Sequence, residues 1–374
     1  MHLSYCTNVH PAEDLAGIIE QLDTYAGPIR QRLGADVLGL GLWLAAPVAA
    51  ALADDPALRR GLRAELDARG LEVVTLNGFP YQAFHAPVVK HAVYRPDWAE
   101  PERLEYTLNL ARILAALLPE DAARGSISTL PLGWREPWDG HQVASVNRAL
   151  DDLAAGLAEV HRGTGRLIRV AFEPEPGCVV ESTLQAVVHL SNIDSEYAGI
   201  CLDLAHLACA WEEPVAALNR LARAGIDVVK VQVSAALEVA DPGAAAAVLQ
   251  AYAEPKFLHQ TRSAGCADSF DDLDEALRSG APGPWRIHYH VPLHASPEPP
   301  LKSTTPVLRA ALAAVLCGPS ARCDHFEVET YTWSVLPPGR RPDGPAALAA
   351  GIAAEVAYAR DTMRDLGLKP LEET

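Results

Sequence analysis

Residues 198–211 read AGICLDLAHLACAW, and this stretch decides the predicted fold. Its branched apolar residues indicate a strand buried on both faces, which is typical of a parallel sheet. Asp203 ends the apolar run, and His206 follows three residues later. Functional sites of α/β folds form at the C-terminal edge of the sheet, where this carboxylate and this imidazole would lie side by side. Each residue alone also fits a structural role, Asp203 as a helix N-cap and His206 as a buried core histidine.

The composition excludes several classes of partner. The chain has 374 residues, of which 49% are hydrophobic, which is enough for a large core and too many for a disordered protein. The formal net charge is −17, and no basic cluster offers the positive surface that nucleic acids and anionic membranes require. The Ala-rich runs at 44–53 and 308–316 are too short to span a bilayer. We therefore expect no nucleic-acid partner and no membrane insertion.

Cysteine usage indicates a reducing compartment. The seven cysteines are odd in number, scattered, and form no CxxC pair, which argues against a disulfide framework or a zinc knuckle. Residues 1–17 lack the charged segment and the following apolar segment of an export signal. We expect a cytoplasmic protein, and the sequence leaves open whether it forms a homo-oligomer.

Strand-like and helix-like segments alternate along the chain. This alternation predicts an α/β protein with a (β/α)8 TIM barrel as a single domain over residues 1–374. Nine segments read as strands, so we assign 285–293 to an extra strand or hairpin before the last barrel strand. A doubly wound open sheet is the alternative, but no Gly-rich phosphate loop follows a predicted strand. The nine segments are 2–9, 37–44, 71–79, 125–132, 167–172, 198–211, 226–233, 285–293 and 325–332.

Pairs of acidic or imidazole side chains recur at other strand ends. The members of each pair are two residues apart, so both point to the same side of an extended chain. Carboxylates at the ends of buried strands are costly unless they are paired or bind a metal. Three strands with this feature favour a shared divalent metal, with a buried ion network as the alternative. The pairs are Glu173 and Glu175, His288 and His290, and Glu327 and Glu329, and which glutamate of a pair faces the site is left open.

These residues resemble the strand motifs of the xylose isomerase-like TIM barrel superfamily. That superfamily includes sugar isomerases, ketose 3-epimerases, inosose dehydratases and the endonuclease IV branch. Residues 199–206, GICLDLAH, resemble its sixth-strand motif, in which a metal-binding Asp precedes a His by three residues. The Glu-Pro pair at 173–174 resembles its fifth-strand metal glutamate, and the Glu-Thr pair at 329–330 resembles its eighth-strand glutamate.

The chain as a whole is similar to the EboE branch, called metabolite traffic proteins. The similarity lies in MHLSYCTNVHPAE (1–13), TYAGPIRQRLG (24–34), GLWLA (41–45) and FEVETYTW (326–333). That branch belongs to bacterial gene clusters linked to secondary-metabolite export. The resemblance therefore implies a place in a bacterial secondary-metabolite biosynthesis or export pathway.

The sequence also departs from the superfamily pattern. Gln232 stands where a seventh-strand histidine is common, so that ligand role passes to His288 or His290, or Gln232 binds the metal through its carbonyl oxygen. The third and fourth strands end at 76–78 and 130–132 without the histidines that bind extra metals in the endonuclease branch. Together with the net charge of −17, this argues against a multi-zinc DNA repair enzyme. A single divalent ion is expected.

The expected ligand set combines carboxylates with one or two imidazoles. Such a set suits Mn²⁺, Mg²⁺ or Co²⁺, and it suits Zn²⁺ if His206 and a second histidine both bind. The expected ligands are Glu173, Asp203, His290 and Glu329, with His206 and His288 in reserve.

The resemblance implies a metal-dependent isomerase or epimerase that acts on a small polar, sugar-like or cyclitol-like metabolite through an enediolate. Glu173 and Glu329 would remove and return a proton on opposite faces of the substrate. A non-catalytic metabolite-binding protein and a metal-dependent hydrolase or dehydratase are the alternatives. Because a carrier needs no pair of proton-transfer groups, the two glutamates favour the enzyme.

Further residues are candidates for substrate binding. Asn8 would hydrogen-bond a substrate hydroxyl or cap a helix, and Lys230 would bind a phosphate or carboxylate or pair with a barrel acid. Gln232 is expected to face the same site. Trp43 and Trp333 would stack on a sugar or cyclitol ring, with burial in the core as the alternative for each.

Overall fold

A closed barrel of eight parallel strands forms the centre of the computed structural model, which describes residues 1–318 and 320–367. Neighbouring barrel strands follow one another in chain order, and the last strand pairs with the first. This closure confirms the predicted (β/α)8 barrel. The barrel strands are β1 (His2–Cys6), β2 (Leu38–Trp43), β3 (Leu71–Asn77), β4 (Arg124–Thr129), β5 (Leu167–Phe172), β6 (Ala198–Asp203), β7 (Val228–Val233) and, after five strands outside the barrel, β13 (His325–Val328).

Helices pack against the barrel strands and against one another. Several begin with a proline in the first turn, where the missing N–H costs no hydrogen bond. A π-helical turn, Leu22–Ala26, joins the first two. The helices are α1 (Leu15–Gln21), α2 (Gly27–Leu33), α3 (Ala46–Asp54), α4 (Pro56–Asp67), α5 (Pro101–Leu117), α6 (Gly140–Thr164), α7 (Thr183–Leu190), α8 (Leu204–Cys209), α9 (Pro214–Arg223), α10 (Ala246–Leu249), α11 (Leu273–Ser279), α12 (Thr305–Leu316) and α13 (Gly344–Asp365). Within the described residues, no helix has both the length and the apolar character needed to cross a membrane.

A small antiparallel sheet lies between β7 and β13 in the chain. Its third strand in spatial order is Trp285–Ile287, which confirms the predicted extra strand, although that prediction ran on to residue 293. The chain leaves the sheet after Ile287, and Val291 N–H donates instead to the Ala235 carbonyl at 2.8 Å. The sheet strands are β8 (Leu237–Val239), β9 (Thr261–Ser263), β10 (Ser269–Phe270), β11 (Trp285–Ile287) and β12 (Lys302–Ser303).

A buried ion pair fills part of the barrel interior. Lys230 Nζ on β7 lies 2.6 Å from Glu327 Oε2 on β13, and neither side chain is exposed. Gly41 on β2 makes room for this pair, because a Cβ atom at that position would lie 1.1 Å from Glu327 Oε1. An alanine here would force the carboxylate away from its lysine.

We predict that Gly41→Ala lowers the free energy of unfolding by at least about 2 kcal/mol, because it overpacks the interior and disturbs a buried ion pair. Urea unfolding monitored by circular dichroism measures this change. Gly61→Ala is the matched control, since Gly61 is exposed on α4 and its Cβ would meet nothing within 4 Å. That control should be neutral or stabilising, and an equal stability loss in both variants would contradict the packing argument.

The C-terminal helix α13 carries a buried acid, Glu355, which is 1% exposed. Its carboxylate accepts hydrogen bonds from Thr330 Oγ1 (2.6 Å), the Leu293 backbone N–H (3.0 Å) and Trp333 Nε1 (3.1 Å). Burial raises the pKa of Glu355 from 4.5 to about 7, because the loss of hydration outweighs these three donors. The folded protein therefore keeps a proton that the unfolded chain releases at lower pH.

This raised pKa predicts the direction of a pH effect. Between pH 4.5 and 7 the native state binds more protons at Glu355 than the unfolded state, so its contribution to stability falls as pH rises. Glu355→Gln removes the titration, and its stability relative to wild type should increase across this window by on the order of 3 kcal/mol. Urea unfolding in EDTA at several pH values measures the difference. A difference that is constant with pH would contradict the assigned shift.

Candidate metal centre

Acidic and imidazole side chains converge at the C-terminal end of the barrel. Glu173 follows β5, Asp203 ends β6 and Glu329 follows β13, while His206 lies in α8 and His290 follows β11. These five residues are at most 6% exposed. Three groups bring their ligand atoms within 4.8 Å of one another: Glu173, Asp203 and His206; Asp203, His290 and Glu329; and His206, His288 and His290.

Backbone carbonyl groups orient two of the imidazoles. His206 Nδ1 lies 2.8 Å from the Pro174 carbonyl oxygen, and His290 Nδ1 lies 2.9 Å from the Glu329 carbonyl oxygen. A carbonyl oxygen can only accept, so Nδ1 carries the hydrogen in each ring. Nε2 of the neutral ring then presents a lone pair to the cluster, which is the arrangement that metal-binding histidines adopt.

A side-chain relay orients the third imidazole. Gln260 donates from its amide to the Tyr94 hydroxyl at 2.7 Å, and Tyr94 donates to Glu175 Oε1 at 2.8 Å. The amide oxygen of Gln260 therefore accepts from His288 Nδ1, 2.8 Å away. The free Nε2 of His288 lies 2.9 Å from Nε2 of His206. Two lone pairs this close repel each other unless a proton or a cation lies between them.

Several buried acceptor atoms of the cluster have no hydrogen-bond partner within the described part of the chain. They are Glu173 Oε2, Asp203 Oδ2 and His290 Nε2. The other Asp203 oxygen accepts from the His206 N–H and from the Ser234 hydroxyl, each at 2.8 Å. Buried acceptors without partners are costly and uncommon in native proteins. Oxygen and nitrogen acceptors that converge without donors fit a bound divalent cation.

The carboxylates titrate abnormally. Burial raises the pKa of Glu173 well above its usual range, and the nearby Glu329 and Asp203 carboxylates raise it further. Burial raises the pKa of Glu329 to about 8, with Asp203 adding to the effect, and burial raises that of Glu175 to about 7. Burial lowers the pKa of His206, but Asp203 and the glutamates more than offset this, so it is raised overall. The cluster therefore holds more negative charge than its own cations neutralise.

Two asparagines hold Glu329 in place. Asn8 Nδ2 and Asn77 Nδ2 donate to Glu329 Oε1 at 2.8 and 2.9 Å. Asn8, predicted to bind substrate, lines the cavity and also orients this carboxylate. Asn77 is not among the residues predicted from the sequence, although it ends β3 as Asp203 ends β6. Position at the end of a barrel strand is the signal that would have found it.

A cavity opens above the cluster. Its floor carries the acids and imidazoles, and its walls are largely aromatic. Lys90 also lines the cavity, and its ammonium group pairs with Asp272 and donates to the Phe257 carbonyl at 3.3 Å. Among the lining residues, no lysine or arginine is therefore left unpaired for a phosphate group. The aromatic wall residues are Phe79, Phe84, Tyr94, Phe257 and Tyr331.

The profile of the xylose isomerase-like TIM barrel family matches residues 31–303. The chain belongs to this family. A comparison with curated proteins finds no match.

Solved structures of xylose isomerase-like barrels share the fold. A D-tagatose 3-epimerase-like protein superposes with a TM-score of 0.53 at 12% identity, covering 98% of this chain and 100% of its own. An IolI protein with a bound zinc atom gives 0.52 at 12% identity, with 99% and 100% covered. A xylose isomerase-like TIM barrel protein from Mycobacterium smegmatis in complex with magnesium gives 0.52 at 12%, with 97% of each chain covered.

The structure also shows which glutamates of the two pairs line the cavity of this xylose isomerase-like barrel. Glu173 and Glu175 both line the cavity, and so does Glu329. Glu327 lies deeper in the barrel, paired with Lys230. Of the two expectations for Lys230, this placement favours pairing with a barrel acid over contact with a substrate phosphate or carboxylate.

Three further residues lie away from the cavity wall. Trp43 donates from Nε1 to the Pro80 carbonyl at 2.8 Å and packs behind Phe84, and Trp333 bonds Glu355, so neither ring faces the cluster. Both rings are buried and neither lines the cavity, which favours the alternative of burial in the core over stacking on substrate. Gln232 is fully buried, and its amide oxygen and nitrogen have no partner in the described residues.

We predict that millimolar Mn²⁺ raises the melting temperature of the metal-free protein by several degrees, because an ion bound only by the folded state stabilises it. Asp203→Asn should lose most of this shift while keeping its bond to the His206 N–H. Differential scanning fluorimetry after EDTA treatment measures the shift. Asp14→Asn, which changes the acidic N-cap of α1, should keep it. Absence of a shift with Mn²⁺, Mg²⁺, Co²⁺ and Zn²⁺ would contradict the metal site.

Proposed function

We propose that this protein is a metal-dependent isomerase or epimerase of a small hydroxy-ketone metabolite. The observation that carries the proposal is the placement of two buried glutamates, Glu173 and Glu329, beside partnerless acceptor atoms in one cavity. The raised pKa values of both acids favour proton transfer near neutral pH. Family membership supports this class of reaction.

The proposed cofactor is one divalent ion, Mn²⁺, Mg²⁺ or Co²⁺, with Zn²⁺ as the alternative that the imidazoles favour. When bound, the ion would polarise two adjacent substrate oxygens and stabilise the negative charge of an enediolate. Related barrels described with zinc and with magnesium support a divalent ion. The residues that would hold it are Glu173, Asp203, His290 and Glu329, with His206 and His288 as further ligands.

The glutamates would carry the proton. Glu329 is held by Asn8 and Asn77 through Oε1, which leaves Oε2 free to take or give a proton. Glu173 has a partnerless Oε2 on another part of the barrel mouth. Because β5 and β13 are separated by two strands, the two carboxylates approach a substrate from different directions. One would remove a proton from the carbon beside the carbonyl, and the other would return it.

The wall of the cavity favours an unphosphorylated substrate. A phosphate would meet the carboxylates of the cluster, while the lysine of the wall is already paired with Asp272. A sugar-like or cyclitol-like ring would place its hydroxyls on the polar floor and its apolar face against the aromatic wall. We further propose an EboE-type role in a bacterial secondary-metabolite pathway, on the sequence resemblance. The seven unpaired cysteines favour the cytoplasm.

Deuterium exchange tests the proposed reaction. The Mn²⁺-loaded protein in D2O should incorporate deuterium beside the carbonyl of a ketohexose or keto-cyclitol, as measured by NMR. Glu173→Gln and Glu329→Gln should each slow exchange by about 100-fold or more, the usual contribution of a general base. Glu72→Gln is the control, because Glu72 lies on β3 in contact with His2 rather than in the cavity.

Exchange that survives in both glutamine variants would contradict their proposed roles. Tight binding of a ketose without exchange would instead identify a metabolite-binding protein. Calorimetric titration of the same compounds separates these outcomes, because it measures binding independently of proton transfer.

A further inference from the structure

We propose that Glu355, on the C-terminal helix, is a positioning residue that holds the segments carrying His290 and Glu329 at a fixed separation. The proposal rests on the proposed function, since it assumes that these two residues bind the ion. Glu355 does not line the cavity, and the proposed mechanism gives it no step.

The donors to Glu355 lie beside the two candidate ligands. Thr330, whose hydroxyl donates to Oε1, directly follows Glu329. Leu293, whose backbone N–H donates to the same oxygen, comes three residues after His290. One carboxylate oxygen therefore accepts from both segments and joins them. The second oxygen accepts from Trp333 and fixes the plane of the carboxylate.

The two segments come from different parts of the fold, so their relative position depends on the hydrogen bonds between them. His290 follows β11 of the antiparallel side sheet, whereas Glu329 follows β13 of the barrel. Direct bonds also join them: His290 Nδ1 donates to the Glu329 carbonyl, and the Thr332 hydroxyl donates to the His290 carbonyl. Glu355 closes this network from outside the cavity. Outer hydrogen bonds of this kind set the orientation of metal ligands.

A role in helix packing alone does not account for this acid. The face of α13 around Glu355 is apolar, with Ile352, Val356 and Ala359 all buried. An apolar side chain would pack there without the cost of desolvating a carboxylate. All three hydrogen bonds of Glu355 go to residues 293–333, in or beside the ligand-bearing segments, and none of them serves its own helix. The buried carboxylate therefore serves to hold those segments rather than its own helix.

Cobalt binding by the full-length protein tests the proposal. Co²⁺ is titrated into EDTA-treated protein at pH 7.5, and its visible absorption bands report both affinity and ligand geometry. Glu355→Ala should weaken Co²⁺ binding by about tenfold or more and change the band shape. Glu355→Gln should remain within about threefold of wild type, because its amide oxygen still accepts from Thr330 and Leu293.

Two further variants separate positioning from general destabilisation. Met363→Ala removes a buried side chain near the C-terminal end of α13, two turns after Glu355, so it should lower the melting temperature without changing the cobalt affinity or spectrum. Thr330→Val removes one hydrogen bond of Glu355 and should weaken Co²⁺ binding by about threefold. Its effect should largely disappear in the Glu355→Ala background, since both changes break the same contact.

The outcomes distinguish the two proposals. Wild-type protein that binds no Co²⁺ would overturn the proposed metal site and this inference with it. Wild-type binding with an unchanged affinity and spectrum in Glu355→Ala would overturn this inference alone. An equal loss in Met363→Ala would also overturn it, because a destabilised helix would then explain the effect. If Glu355→Ala does not fold, unchanged cobalt binding in Thr330→Val overturns the inference.

Discussion

Electrostatic repulsion among buried side chains at the mouth of the barrel is the constraint on which the site depends. The carboxylates of Glu173, Asp203 and Glu329 share a buried space with imidazole lone pairs, and burial weakens the screening that water would provide. The lysine of the barrel interior, Lys230, is already committed to Glu327. The cluster is therefore stable in two ways, by keeping protons on its acids or by binding a cation. The raised pKa values of Glu173 and Glu329 fit the protonated state, and the acceptor atoms without partners fit the state with a bound cation.

The surrounding fold keeps these repelling groups in place. Each imidazole is fixed through Nδ1 by an oxygen acceptor, which leaves Nε2 directed at the cluster. Glu329 is fixed by two asparagine donors, and Asp203 by a backbone N–H and a serine hydroxyl. Such supports hold a site rigid before any ligand arrives, so little reorganisation accompanies binding. The side sheet also contributes to this order, because His288 and His290 directly follow its strand β11.

Strand periodicity explains why much of the barrel and its acids could be predicted from the sequence. Side chains two apart share one face of a strand, and parallel strands end at one edge, so Glu173 and Glu329 could be placed near each other. Periodicity does not tell how far below the mouth of the barrel an inward-facing side chain lies. Inward-facing side chains stack in layers within a barrel, and Lys230 and Glu327 lie in a layer below the mouth, which no spacing rule reports. Contacts between side chains of two distant loops could not be predicted from the sequence either. Gln260 reaches His288 only because the side sheet brings two distant segments together.

The position of a bound ion tests the central claim most directly. Crystals of the protein grown with Mn²⁺ and measured at the manganese absorption edge would show the ion as an anomalous difference peak. The account predicts one peak inside the cluster, with Glu173, Asp203, His290 and Glu329 as its protein ligands. A cluster without a peak, with its carboxylates protonated or turned toward other side chains, would contradict it.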